Sequence, residues 1–268
     1  MKRKELIGKN KTVLITGASS GIGLELAKLF AKDGFNLVLV ARRKERLEDI
    51  AKELNNLYGI KTHIITKDLS NLESPKEIFN ELNIESIKID ILVNNAGFDV
   101  YGKFSETNYE KELNMIDVNV LAVTYLTKLF LPSMVERNSG KILNIGSTGS
   151  IIAAPLNAIY CATKAYVLNM SLAIGEELRG TGITITCLCP GATRTEFHKL
   201  AMMLDTNLMQ GKVMSAEKVA KIGYKALMKG KRVVIAGFKN KVQTFMTRFI
   251  SRKTTSKMSK SYLEIKNS

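Results

Sequence analysis

Apolar positions along this chain fall into short, nearly unbroken runs, and between the runs they recur every three or four residues. The runs are 11–16 (KTVLIT), 35–41 (FNLVLVA), 61–67 (KTHIITK), 90–94 (DILVN), 140–146 (GKILNIG), 182–189 (GITITCLC) and 231–236 (KRVVIA). Each is strand-sized, rich in Val, Ile and Leu, and almost free of alternation. That is the pattern of strands covered on both faces. Segments 23–34, 42–59, 74–82, 108–136, about 157–178 and 215–228 carry helical spacing instead. Seven strands alternating with helices predict an α/β protein, a doubly wound parallel sheet of seven strands flanked by helices in a single domain. No internal repeat or low-complexity linker interrupts the pattern. The domain is read as residues 1–237, with 238–268 as an extension.

Composition agrees with a globular core: 45% of the 268 residues are hydrophobic and 24% charged. The sequence shows no apolar run of bilayer length and no signal-peptide apolar region at its start, so a cytoplasmic protein is expected. The three cysteines, Cys161, Cys187 and Cys189, suit no disulfide framework. Cys187 and Cys189 stand two apart in a strand, on one face, as small buried hydrophobes. His63 and His198 are isolated, and no metal cluster is expected. The formal charge is +15, and from Lys229 to Ser268 eleven Lys or Arg stand against one acid, Glu264. The basic excess therefore belongs mostly to the tail.

The first strand runs into TGASSGIG, Thr16 to Gly23, which then opens a helix. Gly17 allows a tight turn. Gly21 and Gly23 would let backbone N–H groups and the helix N-terminus meet a pyrophosphate, with Ser19, Ser20 and Ile22 in the same turn. A strand before and a helix after make this a Rossmann-type dinucleotide site. An NAD-preferring site usually ends its second strand in Asp or Glu. Here Ala41 stands in that place and Arg42 and Arg43 follow. A guanidinium holds a 2′-phosphate in a forked grip, so the expected cofactor is NADP(H), with Arg46 assisting.

Tyr160 and Lys164 are four residues apart and share a helix face. Tyr262 and Lys266 repeat the spacing, but no strand precedes them, and that pair is read as a solvated tail. Thirteen residues before Tyr160, Ser147 closes a strand, at the sheet edge where parallel strands present ligands.

In these motifs the sequence resembles the single-domain short-chain dehydrogenase/reductases, over residues 11 to about 236. TGASSGIG, Asp68–Leu69, NNAG at Asn94–Gly97, Asn119, Ser147, YCATK and Pro190–Gly191 follow that family's order and spacing. The stretch 160–197 resembles a bacterial branch allied to 3-oxoacyl and other ketone reductases. The resemblance implies reduction of a ketone or aldehyde, or the reverse oxidation of an alcohol. Tyr160 is then the general acid, Lys164 the charge that favours its phenolate and a ribose contact, and Ser147 the donor to the carbonyl oxygen. Asn119 is expected to keep a helix kink and a water near Lys164. Asp68 and Leu69 would touch the adenine, and Asn95, Ala96 and Gly97 the adenosine ribose. Pro190, Gly191 and Thr193 would meet the nicotinamide end. Two departures stand out: Gly146 where many relatives have Ser, and Asp99, a charge expected near the pocket mouth.

Segment 198–214 holds Met202, Met203, Leu204, Leu208, Met209 and Met214. It reads either as a lid over an apolar or acyl substrate or as an ordinary packed helix. Beyond it, Phe238, Val242, Phe245, Met246, Phe249 and Ile250 recur at helical spacing among Lys239, Lys241, Arg248, Arg252 and Lys253. This basic amphipathic helix either packs on the body, the favoured reading, or lies peripherally on an anionic membrane. No nucleic-acid module accompanies the charge. Relatives suggest a homodimer or homotetramer, with 157–178 as either a dimer face or a core helix. The alternative to an enzyme is a silent NADP(H)-sensing or membrane-associated protein, which the intact Asn119, Ser147, Tyr160 and Lys164 argue against.

Overall fold

Strands β1 (Thr12–Thr16), β2 (Asn36–Ala41), β3 (Thr62–Thr66), β4 (Ile91–Asn94), β5 (Gly140–Ile145), β6 (Ile183–Cys189) and β7 (Val233–Ile235) form one sheet in the order 3-2-1-4-5-6-7. All six pairings are parallel. The structure is a computed structural model that describes residues 6–196, 206–210 and 213–264. Helices α1 (Gly21–Lys32), α2 (Lys44–Tyr58), α3 (Ser74–Ile84), α4 (Tyr109–Ile116), α5 (Val123–Glu136), α6 (Ala158–Glu177) and α7 (Ala216–Met228) connect the strands. The chain reverses its winding between β1 and β4, which opens a crevice at the carboxyl ends of the strands.

The unbroken apolar runs are explained by two cores. Val13, Ile15, Leu37 and Leu39 pack on one side with Leu26 and Phe30 of α1, Leu47 of α2 and Val219 of α7. Their neighbours Leu14, Val38 and Val40 point the other way, to Ile78 of α3 and Leu126 and Phe130 of α5. Successive strand side chains alternate faces, so a strand that is buried twice must be apolar at every position. Phe30 is fully buried and meets Phe35 and Tyr224 edge-to-face at 5.3 and 5.0 Å. Cutting a fully buried residue such as Leu14 to Ala costs about 2–5 kcal/mol.

The segment expected as one helix over 108–136 is continuous but not regular: Asp117–Ala122 forms a π-helical stretch between α4 and α5. The whole rod, Tyr109–Glu136, is 28 residues long, and an 18-residue window within it has a mean hydropathy of 1.4. By length and composition this rod could cross a bilayer, although polar residues break up every apolar run in it. Its Met115, Val118, Ala122, Val123, Leu126 and Met134 are buried, as in a core helix flanking the sheet.

The tail is also corrected. It is two helices, α8 (Phe238–Met246) and α9 (Arg252–Leu263). Leu263 is buried with Tyr101, Ala154 and Leu156 around it. The Tyr101 hydroxyl donates to the Leu263 carbonyl at 2.5 Å and the Ser259 hydroxyl to the Ala153 carbonyl at 2.9 Å. Packing on the body therefore holds for α9. The outer face of α8 and the turn after it stay open: Phe238, Phe245 and, in the turn, Phe249 are 82%, 53% and 71% exposed.

Candidate active site

A cleft of about 930 Å³ lies along the carboxyl ends of the strands. Its floor at one end is the glycine turn. Gly17 has φ +64°, and a Cβ there would stand 2.8 Å from Asn95 Nδ2 and 2.9 Å from Ala96 Cα. Only glycine accepts both the conformation and the contact. Asn95 locks the turn by donating from Nδ2 to the carbonyls of Thr16 and Gly17 at 2.9 and 3.1 Å. Thr16 returns the link, its Oγ1 accepting the Asn95 and Ala96 amides at 3.0 Å each. Ser20 begins α1 without capping it through its side chain, and Gly21 and Ile22 line the cleft. Uncapped amides at a helix start form a ready phosphate site. At Gly23 a Cβ would meet the Gly17 carbonyl at 2.4 Å and Asn95 Nδ2 at 2.5 Å. It packs the helix against the turn, and among the described residues it is not part of the cleft wall.

At the end of β2 the two arginines fan over this turn. Arg43 donates from Nη2 to Ser19 Oγ at 3.0 Å and pairs through Nη1 with Glu196 at 2.9 Å. Arg42 reaches Asp68 at 3.6 Å. Against the cost of burial, Arg43 holds the Glu196 carboxyl below its usual range. Asp68 is likewise held low, by Ser70 and Arg42 against burial. Asp68 and Leu69 both line the cleft. No acid occupies the end of β2, and two guanidiniums stand there, which fits a dinucleotide carrying a 2′-phosphate.

The opposite end gathers Ser147, Tyr160 and Lys164. Ser147 follows β5, and its Oγ accepts the Gly149 amide at 3.0 Å. Ser147 and Tyr160 both line this end of the cleft, and the Ser147 side chain favours the Tyr160 phenolate. Lys164 Nζ is buried, donates to the Ile145 carbonyl at 3.0 Å and lies 5.7 Å from the centre of the Tyr160 ring. Burial pulls the ammonium down to about 8. Burial and the Asp99 carboxylate push the Tyr160 phenol upward, and the Ser147 side chain only partly opposes them. The expected lowering of this phenol by Lys164 is thus not produced by the side chains alone, because desolvation of the phenolate outweighs the lysine's field.

Asn119 sits in the π stretch, fully buried, and fixes the neighbourhood of Lys164 without reaching the cleft wall. Its Nδ2 donates to the Phe98 carbonyl at 3.0 Å and to Thr163 Oγ1 at 3.2 Å, and its Oδ1 accepts the Phe98 amide at 3.2 Å. Gly97 is glycine because a Cβ would lie 2.8 Å from Asn119 Oδ1 and 3.3 Å from Lys164 Nζ. Gly146 has a cause as well: a Cβ there would crowd Cys187 and Cys189 Sγ at 3.0 and 3.2 Å. The cysteines of β6 fill the space that a larger residue would need. Pro190, Gly191 and Thr193 line the cleft after β6, and the Thr193 hydroxyl donates to the Gly191 carbonyl at 2.9 Å.

Comparison with known proteins places this architecture. The short chain dehydrogenase family model matches residues 11–202. An NADP-dependent 3-hydroxy acid dehydrogenase of Schizosaccharomyces pombe is 35% identical over 233 residues, covering 84% of this chain and 90% of its own. This chain belongs to the short-chain dehydrogenase family. Among solved structures, a short-chain dehydrogenase from Sphingobium yanoikuyae in complex with NADPH superposes with a TM-score of 0.80 at 32% identity, covering 90% of this chain and 96% of its own. A bulky-bulky ketone specific alcohol dehydrogenase from Comamonas testosteroni gives 0.75 at 31% identity, covering 89% and 92%.

Other parts of this short-chain dehydrogenase were not legible in sequence. Asp99, expected at the mouth, is buried and bonded to Asn157 at 2.5 Å, and burial raises its carboxyl to about 7. Tyr262, expected in a solvated tail, belongs to α9 and lines the cleft with Ser259 and Leu263. Asn240 and Gln243 of α8 line it too. Nothing local marks these residues; they arrive from a segment far along the chain. Of the proposed lid, Met202, Met203 and Leu204 lie outside the described residues, and Met214 packs on the core.

Proposed function

We propose that this protein interconverts a ketone or aldehyde and the corresponding alcohol with NADP(H), Tyr160 moving the proton. The observation that carries this reading is the convergence of Ser147, Tyr160 and Lys164 on one end of the cleft at the carboxyl edge of the sheet, with a buried ammonium 5.7 Å from the Tyr160 ring. The cofactor is NADP(H): Arg42 and Arg43 stand where an acid would repel the 2′-phosphate, and the Sphingobium relative holds NADPH. Bound NADP(H) supplies the hydride and, in oxidised form, a positive charge beside the phenol. The turn from Gly17 to Ile22 would hold the pyrophosphate, and Asn95 through Gly97 the adenosine ribose. Ser147 would donate to the substrate oxygen and hold it against the Tyr160 hydroxyl. Tyr160 would give its proton to that oxygen in reduction and take it back in oxidation. Asn119 would keep Lys164 in register by bracing Thr163 and the Phe98 backbone.

The substrate is a bulky or acyl ketone on this reading. The cleft is large, and its far wall includes Ile152, Ala154 and Leu263. The exposed aromatic face of α8, rimmed by Lys239, Lys241 and Arg248, favours one second reading, contact with an anionic membrane. Sedimentation with anionic and neutral liposomes tests it: binding that ignores lipid charge and salt removes it. The main reading is tested by a ketone panel followed through NADPH absorbance, with NADH in parallel. Turnover with NADPH on at least one bulky ketone supports it; preference for NADH removes the cofactor assignment.

A further inference from the structure

Asp99 is an unusual group for the substrate end of this cleft. It lines the cavity, is only 7% exposed, and follows the turn that carries Asn95–Gly97. Its Oδ2 accepts from Asn157 Nδ2, while Oδ1 is buried and satisfied by no hydrogen bond. A buried acceptor left unmatched is costly unless something completes it. The groups facing this carboxyl are the Val100 amide, Asn157 from the loop before α6, and Tyr160, Cys161 and Lys164 on α6. Tyr160 and Cys161 are themselves pushed up by its negative charge. Any substrate oxygen placed against Tyr160 therefore brings its neighbouring substituent close to Asp99.

We propose that Asp99 is a specificity-determining residue, whose carboxylate, anchored by Asn157 in the wall of the cleft, turns free carboxylates away from the substrate end. This rests on Tyr160 and Ser147 holding the carbonyl, and it narrows the substrate class to neutral ketones. It separates this chain from what the name of the Schizosaccharomyces relative describes, a 3-hydroxy acid dehydrogenase. Rejection of an anion by a buried like charge is a repulsive element of selectivity. The sign with pH follows from burial. The carboxyl is raised to about 7, so it is neutral below and charged above that value. Exclusion of carboxylates must therefore strengthen as pH rises through 7. Lys164 begins to lose its charge near 8, so the informative window closes below that.

The test compares kcat/KM for a 3-oxo acid and its methyl ester between pH 6 and pH 7.5. The wild type should favour the ester at pH 7.5, and that preference should shrink about fivefold at pH 6, a measurement that needs no variant. Asp99→Asn keeps the volume and an acceptor for Asn157. It should cut the ester preference at pH 7.5 about tenfold and flatten its pH dependence. Affinities of the two compounds for NADPH-loaded Tyr160→Phe protein, read by calorimetry, should follow the same order. A wild-type preference that is flat with pH and unchanged in Asp99→Asn overturns the role of Asp99. Failure of the reductase reading looks different: neither compound is turned over, while calorimetry still reports whether the ester is bound in preference to the acid.

Discussion

The two ends of the cleft are built differently. The cofactor end is made of backbone and short side chains: Gly17, Ser19, Gly21, Asn95 and Gly97, all from segments that directly follow β1 and β4. The substrate end joins Asp99 and Asn157 to side chains from far along the chain, Gln243, Tyr262 and Leu263. A pyrophosphate asks only for close backbone approach, which one local glycine pattern can meet. A substrate pocket asks for a particular volume and charge, which any segment that reaches it can supply.

The largest effect separating the two ends should come from Tyr160→Phe. Ketone turnover should fall about 10²–10⁴-fold, the usual contribution of a positioned proton donor. NADPH affinity should stay within about twofold, since the phenol lies on the substrate side. Next, Arg43→Ala should weaken NADPH by about 10–100-fold, the value of one or two charged hydrogen bonds. NADH affinity should hardly move, and fluorescence titration with both nucleotides reads the difference. A similar loss for both would mean that Arg43 only braces Ser19 and Glu196. At the other end, Leu263→Asp should raise the ketone KM about tenfold, the cost of unseating one apolar contact from Tyr101, Ala154 and Leu156. NADPH binding should be unaffected.

The smallest effect is thermodynamic. The Asp99 carboxyl is raised by burial to about 7, above its ordinary 3.8. Its charged form therefore destabilises the fold. That penalty is absent below about pH 4, grows between 4 and 7 as the unfolded chain ionises first, and is complete above 7. Asp99→Asn should therefore raise the melting temperature by a few degrees at pH 8 and leave it nearly unchanged at pH 4.5. Equal gains at both pH values would show that the carboxyl is not buried as a titrating group.

The same contrast explains what could be read in advance. Doubly buried strands must be apolar throughout, so all seven were visible as runs, and the parallel sheet followed. The glycine turn, the arginines after β2 and the Ser147–Tyr160–Lys164 spacing were visible because each depends on neighbours in sequence or on strand ends. The packing role of Gly23 carries no separate signal, because a glycine needed for packing and one needed for a ligand look alike in sequence. The upward push on Tyr160 was missed because desolvation depends on tertiary burial. Tyr262 is 43% exposed and still borders the cleft, because the neighbours of α9 that seat it, Asn207 and the 101–156 region, bond to Ser259, Ser261, Leu263 and Glu264 from far away in the chain. The Asn94–Asn144–Ser171 chain of buried hydrogen bonds, at 2.9 Å each, links β4, β5 and α6 and carries no local signal at all.

The central claim is that the Tyr160 hydroxyl is the proton donor. The most direct measurement is single-turnover oxidation of NADPH by the Tyr160→Phe protein, with a ketone that the wild type reduces. The account predicts a ternary complex of normal affinity and a hydride-transfer rate lower by at least about a hundredfold. A rate within a fewfold of wild type would contradict it, because another group would then be delivering the proton.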